Sequence, residues 1–294
     1  MTSGNIVVGL GEILWDVLPN GKQLGGAPAN FAYHVSQFGL ESCAVSAVGN
    51  DELGREILGA LDARGMRYLI EKTDYPTGTV DVTLDAQGIP CYNIRQGVAW
   101  DNMPFTPALE ALAKDTAAVC FGSLAQRSEL SRSNIRKFLE AMPQGDASYR
   151  IFDINLRQNY YNRQIIDESL RLSNVLKIND EEVAIVADIL GMKDMTIQNV
   201  CCRLLADYKL KMVILTCGTA GSYVFTPNEE SFLPTPSVKV ADTVGAGDSF
   251  TAAFVASLIK GKSIHRAHCT AVAVSAYVCT QNGAMPTLPD NLKA

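Results

Sequence analysis

Apolar positions along this chain follow two alternating patterns. Short continuous runs rich in Val, Ile and Ala are typical of buried strands, and the stretches between them repeat apolar residues every three or four positions, as amphipathic helices do. Because strands and helices alternate, the pattern predicts an α/β fold, a doubly wound and mostly parallel sheet with helices on both faces. The predicted strands are 6–13, 42–49, 117–122, 150–155, 174–179 and 211–218, and the predicted helices are 28–39, 51–65, 131–142, 180–190, 195–208, 246–260 and 264–281.

Residues 78–97 depart from this pattern. They alternate polar and apolar side chains on both sides of Asp85-Ala86-Gln87-Gly88, a sequence typical of a turn. The alternation predicts an antiparallel hairpin with one face in water, part of a small β-sheet lid over a cleft. No repeat or low-complexity linker divides the chain. We therefore expect a single domain over 1–294, with lid strands inserted at about 13–24 and 78–100.

Composition narrows the classes of partner. The chain has 294 residues, 47% of them hydrophobic, a net charge of −6 and no long run of Lys or Arg, which argues against nucleic acid or an anionic membrane. Its apolar runs are shorter than the ~20 residues of a membrane-spanning helix. The first residues carry Glu12 and Asp16 without a basic region, unlike a signal peptide, and the eight cysteines include no C-x-x-C pair. We expect a cytoplasmic protein that binds small molecules.

The strongest candidate for chemistry is DTVGAGDSF at residues 242–250. Gly245, Ala246 and Gly247 expose backbone N–H groups where a helix is predicted to begin, and that end of a helix attracts a phosphate or an oxyanion. Asp248 follows in the first turn, where it could accept a proton from an alcohol. The alternative is that Asp248 caps the helix and the glycines only allow close packing.

Other motifs are absent or incomplete. Gly9-Leu10-Gly11 follows a predicted strand, but Leu14 replaces the third glycine of a dinucleotide fingerprint. A nicotinamide enzyme that uses Gly9 and Gly11 therefore remains a minor alternative. The sequence contains no Walker A loop, no protein-kinase HRD or DFG, no G-x-S-x-G elbow and no histidine–cysteine spacing typical of zinc.

Several segments together with DTVGAGDSF resemble ribokinase-like (PfkB-type) carbohydrate kinases. The N-terminal signature is GGAPAN at 25–30 followed by VGNDELG at 48–54. All the segments occur in the order of the family and together cover essentially the whole chain. The remaining segments are DINLR at 153–157, NDEE at 179–182, CGTAG at 217–221 and GAMP at 283–286. The resemblance implies the ribokinase-like fold and ATP-dependent phosphorylation of a sugar hydroxyl. It is greatest to bacterial fructokinases, because GE-x-L-x-D precedes GGAPAN, which implies that D-fructose becomes D-fructose 6-phosphate.

The resemblance also implies residue roles. Asp248 is the base, and Gly245, Ala246 and Gly247 form the anion hole. The implied substrate-binding residues are Asp16, Gly25, Gly26, Asn30, Arg95 and Arg157, and the implied nucleotide-binding residues are Asn179, Thr216, Gly218, Gly221 and Gly247. For Arg157 a solvated salt bridge is an equal alternative, and the roles of Trp100 and Asp101 stay open because Trp100 interrupts the family pattern.

Two cations are implied as well. Asn179 and Glu182 would hold Mg²⁺ through water, although an Asn followed three residues later by Glu is also a common capping box, and both roles can hold together. Asp242, Val244 and Gly283 correspond to the place where many members bind a monovalent cation, usually K⁺. The expected cofactors are therefore ATP, Mg²⁺ and K⁺.

Alternatives remain open within and outside this activity. Ribokinase, 2-keto-3-deoxygluconate kinase and nucleoside kinase share the motifs, because specificity lies in the lid and the first ~35 residues. A sugar-binding regulator without catalysis is a further possibility, although such a protein has no need of Asp248. The alternation in the hairpin also suggests a homodimer formed by pairing of lid edges.

Overall fold

A computed structural model describes residues 6–18, 21–84 and 90–293, so the predicted turn at 85–88 lies outside the described residues. The strands are β1 (Ile6–Leu10), β2 (Leu14–Leu18), β3 (Gly21–Gly25), β4 (Ser42–Gly49), β5 (Tyr68–Thr73), β6 (Gly78–Leu84), β7 (Pro90–Ile94), β8 (Thr116–Phe121), β9 (Tyr149–Asp153), β10 (Val175–Asn179), β11 (Met212–Thr216), β12 (Ser222–Phe225) and β13 (Glu230–Leu233). The helices are α1 (Ala27–Ser36), α2 (Glu52–Asp62), α3 (Pro107–Lys114), α4 (Glu129–Ala141), α5 (Arg163–Leu172), α6 (Asp180–Leu190), α7 (Ile197–Asp207), α8 (Ala246–Ile259), α9 (Ile264–Cys279) and α10 (Asp290–Lys293).

The larger of two sheets has nine strands in the order β13-β12-β11-β10-β9-β8-β1-β4-β5. Neighbours from β11 to β5 pair in parallel, and β12 and β13 form an antiparallel edge that the sequence pattern did not predict. The predicted doubly wound, mostly parallel sheet is therefore confirmed.

Helices cover both faces of this sheet. Phe31 of α1, Phe254 of α8 and Val274 of α9 belong to one buried cluster, and Phe138 of α4 and Leu204 of α7 belong to another. Every residue of β1 and β4 is buried, which explains why these strands are continuous apolar runs in the sequence. No helix within the described part of the chain is long and apolar enough to cross a membrane.

The smaller sheet has four strands in the order β3-β2-β6-β7. β2 pairs antiparallel with β3 and parallel with β6, and β6 pairs antiparallel with β7. The second sheet is thus built from residues 14–25 and 78–94. The predicted strand 6–13 was too long: β1 ends at Leu10, and Gly11 has a φ of 152° at the turn that leads into β2.

Asp51 of the VGNDELG segment joins the two sheets. Its Oδ1 accepts a hydrogen bond from Gly54 N, at 2.8 Å, and so caps α2. The same carboxylate accepts from the hydroxyl of Thr77 at 2.6 Å and from Thr77 N at 2.9 Å. Because Thr77 directly precedes β6, this part of the signature fixes the entry of the chain into the small sheet.

Candidate active site

The candidate site lies at the point from which the later strands are added to opposite sides of the large sheet. β4 pairs with one edge of β1 and β8 with the other, so the carboxyl ends of β1 and β8 form a topological switch point, the usual ligand crevice of such sheets. A cavity of about 10 Å³, roughly the space for one water molecule, lies there. Glu12, Asp153 and Asp248 line it together with Phe31 and Phe121.

Asp248 lies in the first turn of α8. Gly245 is the N-cap residue with a φ of 78°, and a Cβ at this position would lie 2.7 Å from Ala284 O. The amide of Ala246 donates to Thr243 O at 3.3 Å, so this N–H closes the loop. The next amides, of Gly247 and Asp248, occupy positions whose N–H groups have no partner within an α-helix.

The carboxylate of Asp248 connects α8 to α1. Asn30 Nδ2 donates to Asp248 Oδ2 at 2.7 Å, although the two residues are 218 positions apart. Asn30 Oδ1 is buried and accepts no hydrogen bond from any residue that the structure describes. This geometry favours a role for Asp248 in the site over a capping role, because the N-cap residue is Gly245.

Burial and nearby charge set the ionisation of Asp248. Burial, and after it the negative charge of Asp153, raises its pKa from 3.8 to about 6. The hydrogen bond from Asn30 and the positive charges of Lys177 and Arg157 act in the opposite direction. At neutral pH the carboxylate is therefore ionised, as a general base must be, with a pKa near the pH at which it would work.

Lys177 forms a buried ion pair beside Asp248. Its Nζ lies 3.1 Å from Asp153 Oδ1, and both side chains are less than a tenth exposed. Thr251 of α8 donates to Asp153 Oδ2 at 3.3 Å. Burial lowers the pKa of Lys177, but Asp153 and Glu182 raise it above its ordinary value, so the ammonium stays charged.

Glu12 follows β1 at the wall of the cavity. It is 3% exposed, and within the described part of the chain its Oε2 has no hydrogen-bond partner. Burial raises the pKa of Glu12 to about 7, against the lowering effects of its own backbone and of Arg157. The sequence does carry a signal for Glu12, because a carboxylate two residues after a fully buried strand lies at the ligand-binding edge of a parallel sheet.

Glu12 makes stability depend on pH. The folded protein keeps its proton up to a pKa of about 7, whereas the unfolded chain loses it near 4.5, so the stabilisation present below pH 4.5 is lost as pH rises through 7. We expect Glu12→Gln, which mimics the protonated form, to exceed the wild type by about 3 kcal/mol at pH 8 and to match it at low pH. Urea unfolding at several pH values measures this difference. Exposed Glu229→Gln is the control, and a pH-independent difference for Glu12→Gln would contradict the prediction.

The predicted substrate residues gather at the start of α1. Leu14 of β2 is paired with Gly25, and a Cβ on Gly25 would lie 2.5 Å from Asp16 Oδ2. Gly26 has a φ of 121° and caps α1, four residues before Asn30. Glycine at 25 and 26 thus lets the two strands and the helix meet around Asp16, whose pKa burial raises and Arg157 lowers.

The two predicted arginines differ in their surroundings. Arg157 is exposed, and it follows Asn155, whose φ of 41° is left-handed. Its positive charge lowers the pKa of Glu12, Asp16 and Asp248, so the guanidinium lies close enough to the site to act on these carboxylates. Arg95 is exposed at the end of the small sheet, where its backbone N donates a hydrogen bond to Thr79 O at 3.1 Å.

A buried ion pair that sequence reasoning missed stands next to the small sheet. Arg127 Nε and Nη2 donate to the two carboxylate oxygens of Asp101 at 2.8 and 2.9 Å. The guanidinium also stacks on Trp100 and Tyr160, with centroid distances of 4.1 and 4.6 Å. Asp101, whose role the sequence left open, therefore anchors Arg127. Sequence alone gave no signal for a partner 26 positions away.

The residues predicted for Mg²⁺ form a capping box. Asn179 Oδ1 accepts from Glu182 N at 2.8 Å, and Glu182 Oε2 accepts from Asn179 N at 3.0 Å. Glu182 Oε1 accepts from Leu156 N at 2.9 Å. Both carboxylate oxygens already accept a backbone N–H, which fits contact with a hydrated Mg²⁺ better than direct ligation. No group of three or more His, Cys, Asp or Glu side chains close enough to hold a metal occurs among the described residues.

The predicted nucleotide residues outside α8 lie at or just after the carboxyl ends of β10 and β11. Thr216 is the register partner of Asn179, and Gly218 and Gly221 follow it with φ of 50° and 128°. A Cβ on Gly221 would lie 2.5 Å from Leu233 O, so only glycine allows β13 to approach this turn.

The structure brings the predicted residues of the monovalent-cation site together. Asp242 Oδ1 accepts from Val244 N at 3.0 Å, and Asp242 Oδ2 accepts from Gly283 N at 3.1 Å. The carboxylate thus fixes the loop before α8 against the segment after α9.

Gly9 and Gly11 do not form a nucleotide loop. A Cβ on Gly9 would overlap Pro28 O, and a Cβ on Gly11 would lie 2.9 Å from Pro28 Cγ. The two glycines allow α1 to pack against β1, which removes the basis for the nicotinamide alternative.

The chain is similar to known carbohydrate kinases in sequence and in fold. The model of the pfkB family carbohydrate kinases matches residues 17–291. The chain is 30% identical to a fructokinase of Klebsiella pneumoniae over 95% of each chain. It is 30% identical to an ATP-dependent 6-phosphofructokinase of Thermoanaerobacterium thermosaccharolyticum, over 92% of this chain and 83% of that one. Among solved structures, a double mutant of Vibrio cholerae O395 fructokinase with fructose, ADP and potassium is similar with a TM-score of 0.79, at 22% identity over 99% of this chain and 98% of that one.

Proposed function

Because the chain belongs to the pfkB family of carbohydrate kinases, we propose that it transfers the γ-phosphoryl group of ATP to D-fructose, giving D-fructose 6-phosphate, with Asp248 as the base. The observation that carries this proposal is the placement of Asp248. It lies in the first turn of α8, receives a hydrogen bond from Asn30 at 2.7 Å, and has a pKa of about 6.

The reaction needs three functions from the chain. Asp248 takes the proton of the sugar hydroxyl. The hydroxyl oxygen bonds to the γ-phosphorus, and the bond from the γ-phosphorus to the β-phosphate oxygen breaks. The first-turn amides of α8, with that of Gly247 foremost, stabilise the charge on the transferred group. Asp16, Gly25, Gly26 and Asn30 hold the sugar so that one hydroxyl faces Asp248, and Arg95 and Arg157 close over it from the exposed side.

The nucleotide is proposed to lie along the ends of β10 and β11. Thr216, Gly218 and Gly221 line this edge, and Asn179 and Glu182 hold Mg²⁺ through its water shell. Mg²⁺ neutralises charge on the phosphates. The loop tied by Asp242, Val244 and Gly283 is the proposed place for K⁺, the ion bound in the Vibrio cholerae structure. Edge pairing of the small sheets into a homodimer stays a prediction for light scattering.

Fructose is favoured by the Klebsiella pneumoniae fructokinase, which matches nearly the full length of the chain. Fructose 6-phosphate is the main competitor, because a 6-phosphofructokinase is equally identical. The phosphate of this sugar would need cations at the open end of the sugar site, where Arg95 and Arg157 are both exposed. The choice between a neutral and a phosphorylated sugar therefore depends on these two arginines.

A coupled assay of ADP formation with ATP, Mg²⁺ and K⁺ tests the substrate directly. We expect kcat/KM for D-fructose to exceed that for fructose 6-phosphate, ribose, 2-keto-3-deoxygluconate and nucleosides by at least tenfold, about 1.4 kcal/mol of transition-state discrimination. Another preferred sugar would overturn the fructose assignment alone. Sugar binding without turnover of any sugar would instead indicate a regulator.

A further inference from the structure

We propose that Lys177 acts as a fixed positive charge beneath the first turn of α8, and that residue 247 is glycine so that this ammonium can reach it. The inference rests on the proposed function, because the charge it would stabilise is that of the transferred phosphoryl group. Lys177 is thus a positioning residue that acts through the α8 amides and Asp248.

The first support is the location of Lys177 in the sheet. β10 reads VLKIN, and Lys177 is 7% exposed between apolar neighbours. A buried ion pair contributes little to stability compared with apolar residues of similar size, so stability alone does not account for a lysine here. Asp153 pairs with the ammonium at 3.1 Å and is itself held by Thr251 of α8. The pair therefore fixes the charge relative to the helix that carries Asp248.

The second support is the glycine at 247. Its backbone is helical with no positive φ, so its conformation does not require glycine, and glycine is a poorer helix former than alanine. A Cβ at 247 would lie 3.0 Å from Lys177 Nζ, and the next atom it would meet is Lys177 Cε at 3.8 Å. A side chain at 247 would thus displace only the ammonium. Gly245 differs, because its left-handed backbone and Ala284 both require glycine.

The chemistry uses this charge without moving a proton to or from it. During transfer, the new bond from the sugar oxygen to phosphorus forms, the bond to the β-phosphate oxygen breaks, and Asp248 takes the hydroxyl proton. Lys177 keeps its protons and remains an ammonium. Preorganised positive charge aimed at the developing anion stabilises the transition state more than the ground state.

The closing experiment compares Lys177→Met, Lys177→Arg and the pair Asp153→Asn with Lys177→Met, which removes both charges and so leaves no unpaired carboxylate. We expect kcat to fall roughly 10²-fold in the Met variants, with KM for sugar and ATP within about threefold, and partial recovery in Lys177→Arg. Affinity for ADP–aluminium fluoride with Mg²⁺ should fall by a similar factor, while affinity for ADP stays unchanged.

Gly247→Ala supplies an independent readout. It should lower kcat in the wild type and have little further effect when Lys177 is already Met, because both changes remove the same approach. The matched control is Gly59→Ala in α2, where a Cβ would lie within 4 Å of none of the described residues outside its own helix. That variant should keep full activity.

The outcomes separate this inference from the proposed function. The role of Lys177 is overturned if the double variant Asp153→Asn with Lys177→Met keeps the wild-type kcat. It is also overturned if that variant loses affinity for ADP and sugar by as large a factor as it loses kcat. If the wild type phosphorylates no sugar, the proposed function fails, and the ADP–aluminium fluoride comparison still decides the role of Lys177. A wild type that does not bind ADP–aluminium fluoride overturns both.

Discussion

Replacement of Asp248 by Asn should lower kcat by roughly 10²- to 10⁴-fold while sugar and ATP bind with near-normal affinity. The amide has nearly the shape of the carboxylate, and its oxygen can still accept the 2.7 Å hydrogen bond from Asn30 Nδ2. It cannot take the proton of the sugar hydroxyl. The coupled assay measures turnover, and calorimetric titration with sugar and with ADP measures binding. A kcat within tenfold of the wild type would remove Asp248 from the role of base.

The pH dependence distinguishes loss of a base from general damage. For the wild type, kcat/KM should rise through the pKa of Asp248, about 6, and the residual activity of Asp248→Asn should lack this rise. Stability should change in the opposite direction. Because burial raises this pKa from 3.8, the folded protein loses stability as pH rises from 3.8 through about 6, and Asn avoids that loss. The inactive variant should therefore be more stable than the wild type at neutral pH.

The sequence predicted those elements whose local signals agree with their burial. β4 is buried along its whole length and was predicted with correct bounds at 42–49. α6 was also predicted correctly, because the Asn179–Glu182 capping box begins it and Gly191, in a left-handed conformation, ends it. β5 was missed because YLIEKT is an edge strand, only half-buried, whose polar residues hide the pattern.

The candidate site divides in the same way. Motif residues such as Asp248, Asn30 and Gly25 carry a sequence signal, and the fold places them together. Lys177 and Glu12 carry little sequence signal, because each is only an isolated charge in the sequence until its neighbours in space are known. The 3.1 Å contact of Lys177 with Asp153 arises from the register of β9 and β10. The Glu12 oxygen that lacks a partner among the described residues arises from burial after β1. Such pairs depend on the parallel register, which no local pattern specifies.

Removal of Asp101 should destabilise the protein by about 3–5 kcal/mol, because it leaves Arg127 buried without its counter-charge. Both side chains of this pair are 6% exposed, and Asp101 Oδ2 also accepts from Gly97 N at 2.9 Å. Urea unfolding of Asp101→Ala measures the loss. The double variant Asp101→Ala with Arg127→Met removes both charges and should recover much of it. Equal losses in the single and double variants would show that packing, rather than the stranded charge, sets the effect.

The same variant should also affect the sugar site. The guanidinium of Arg127 donates to the backbone carbonyl of Arg95, so the ion pair connects the end of the small sheet to the turn after β8. Arg95 and Asp16 belong to the proposed sugar-binding set, and both are carried by or adjoin that small sheet. Loss of Asp101 should therefore raise KM for the sugar more than KM for ATP and leave kcat at saturating sugar less affected. An equal rise in both KM values would mean that the pair supports the whole fold rather than the position of the small sheet over the sugar.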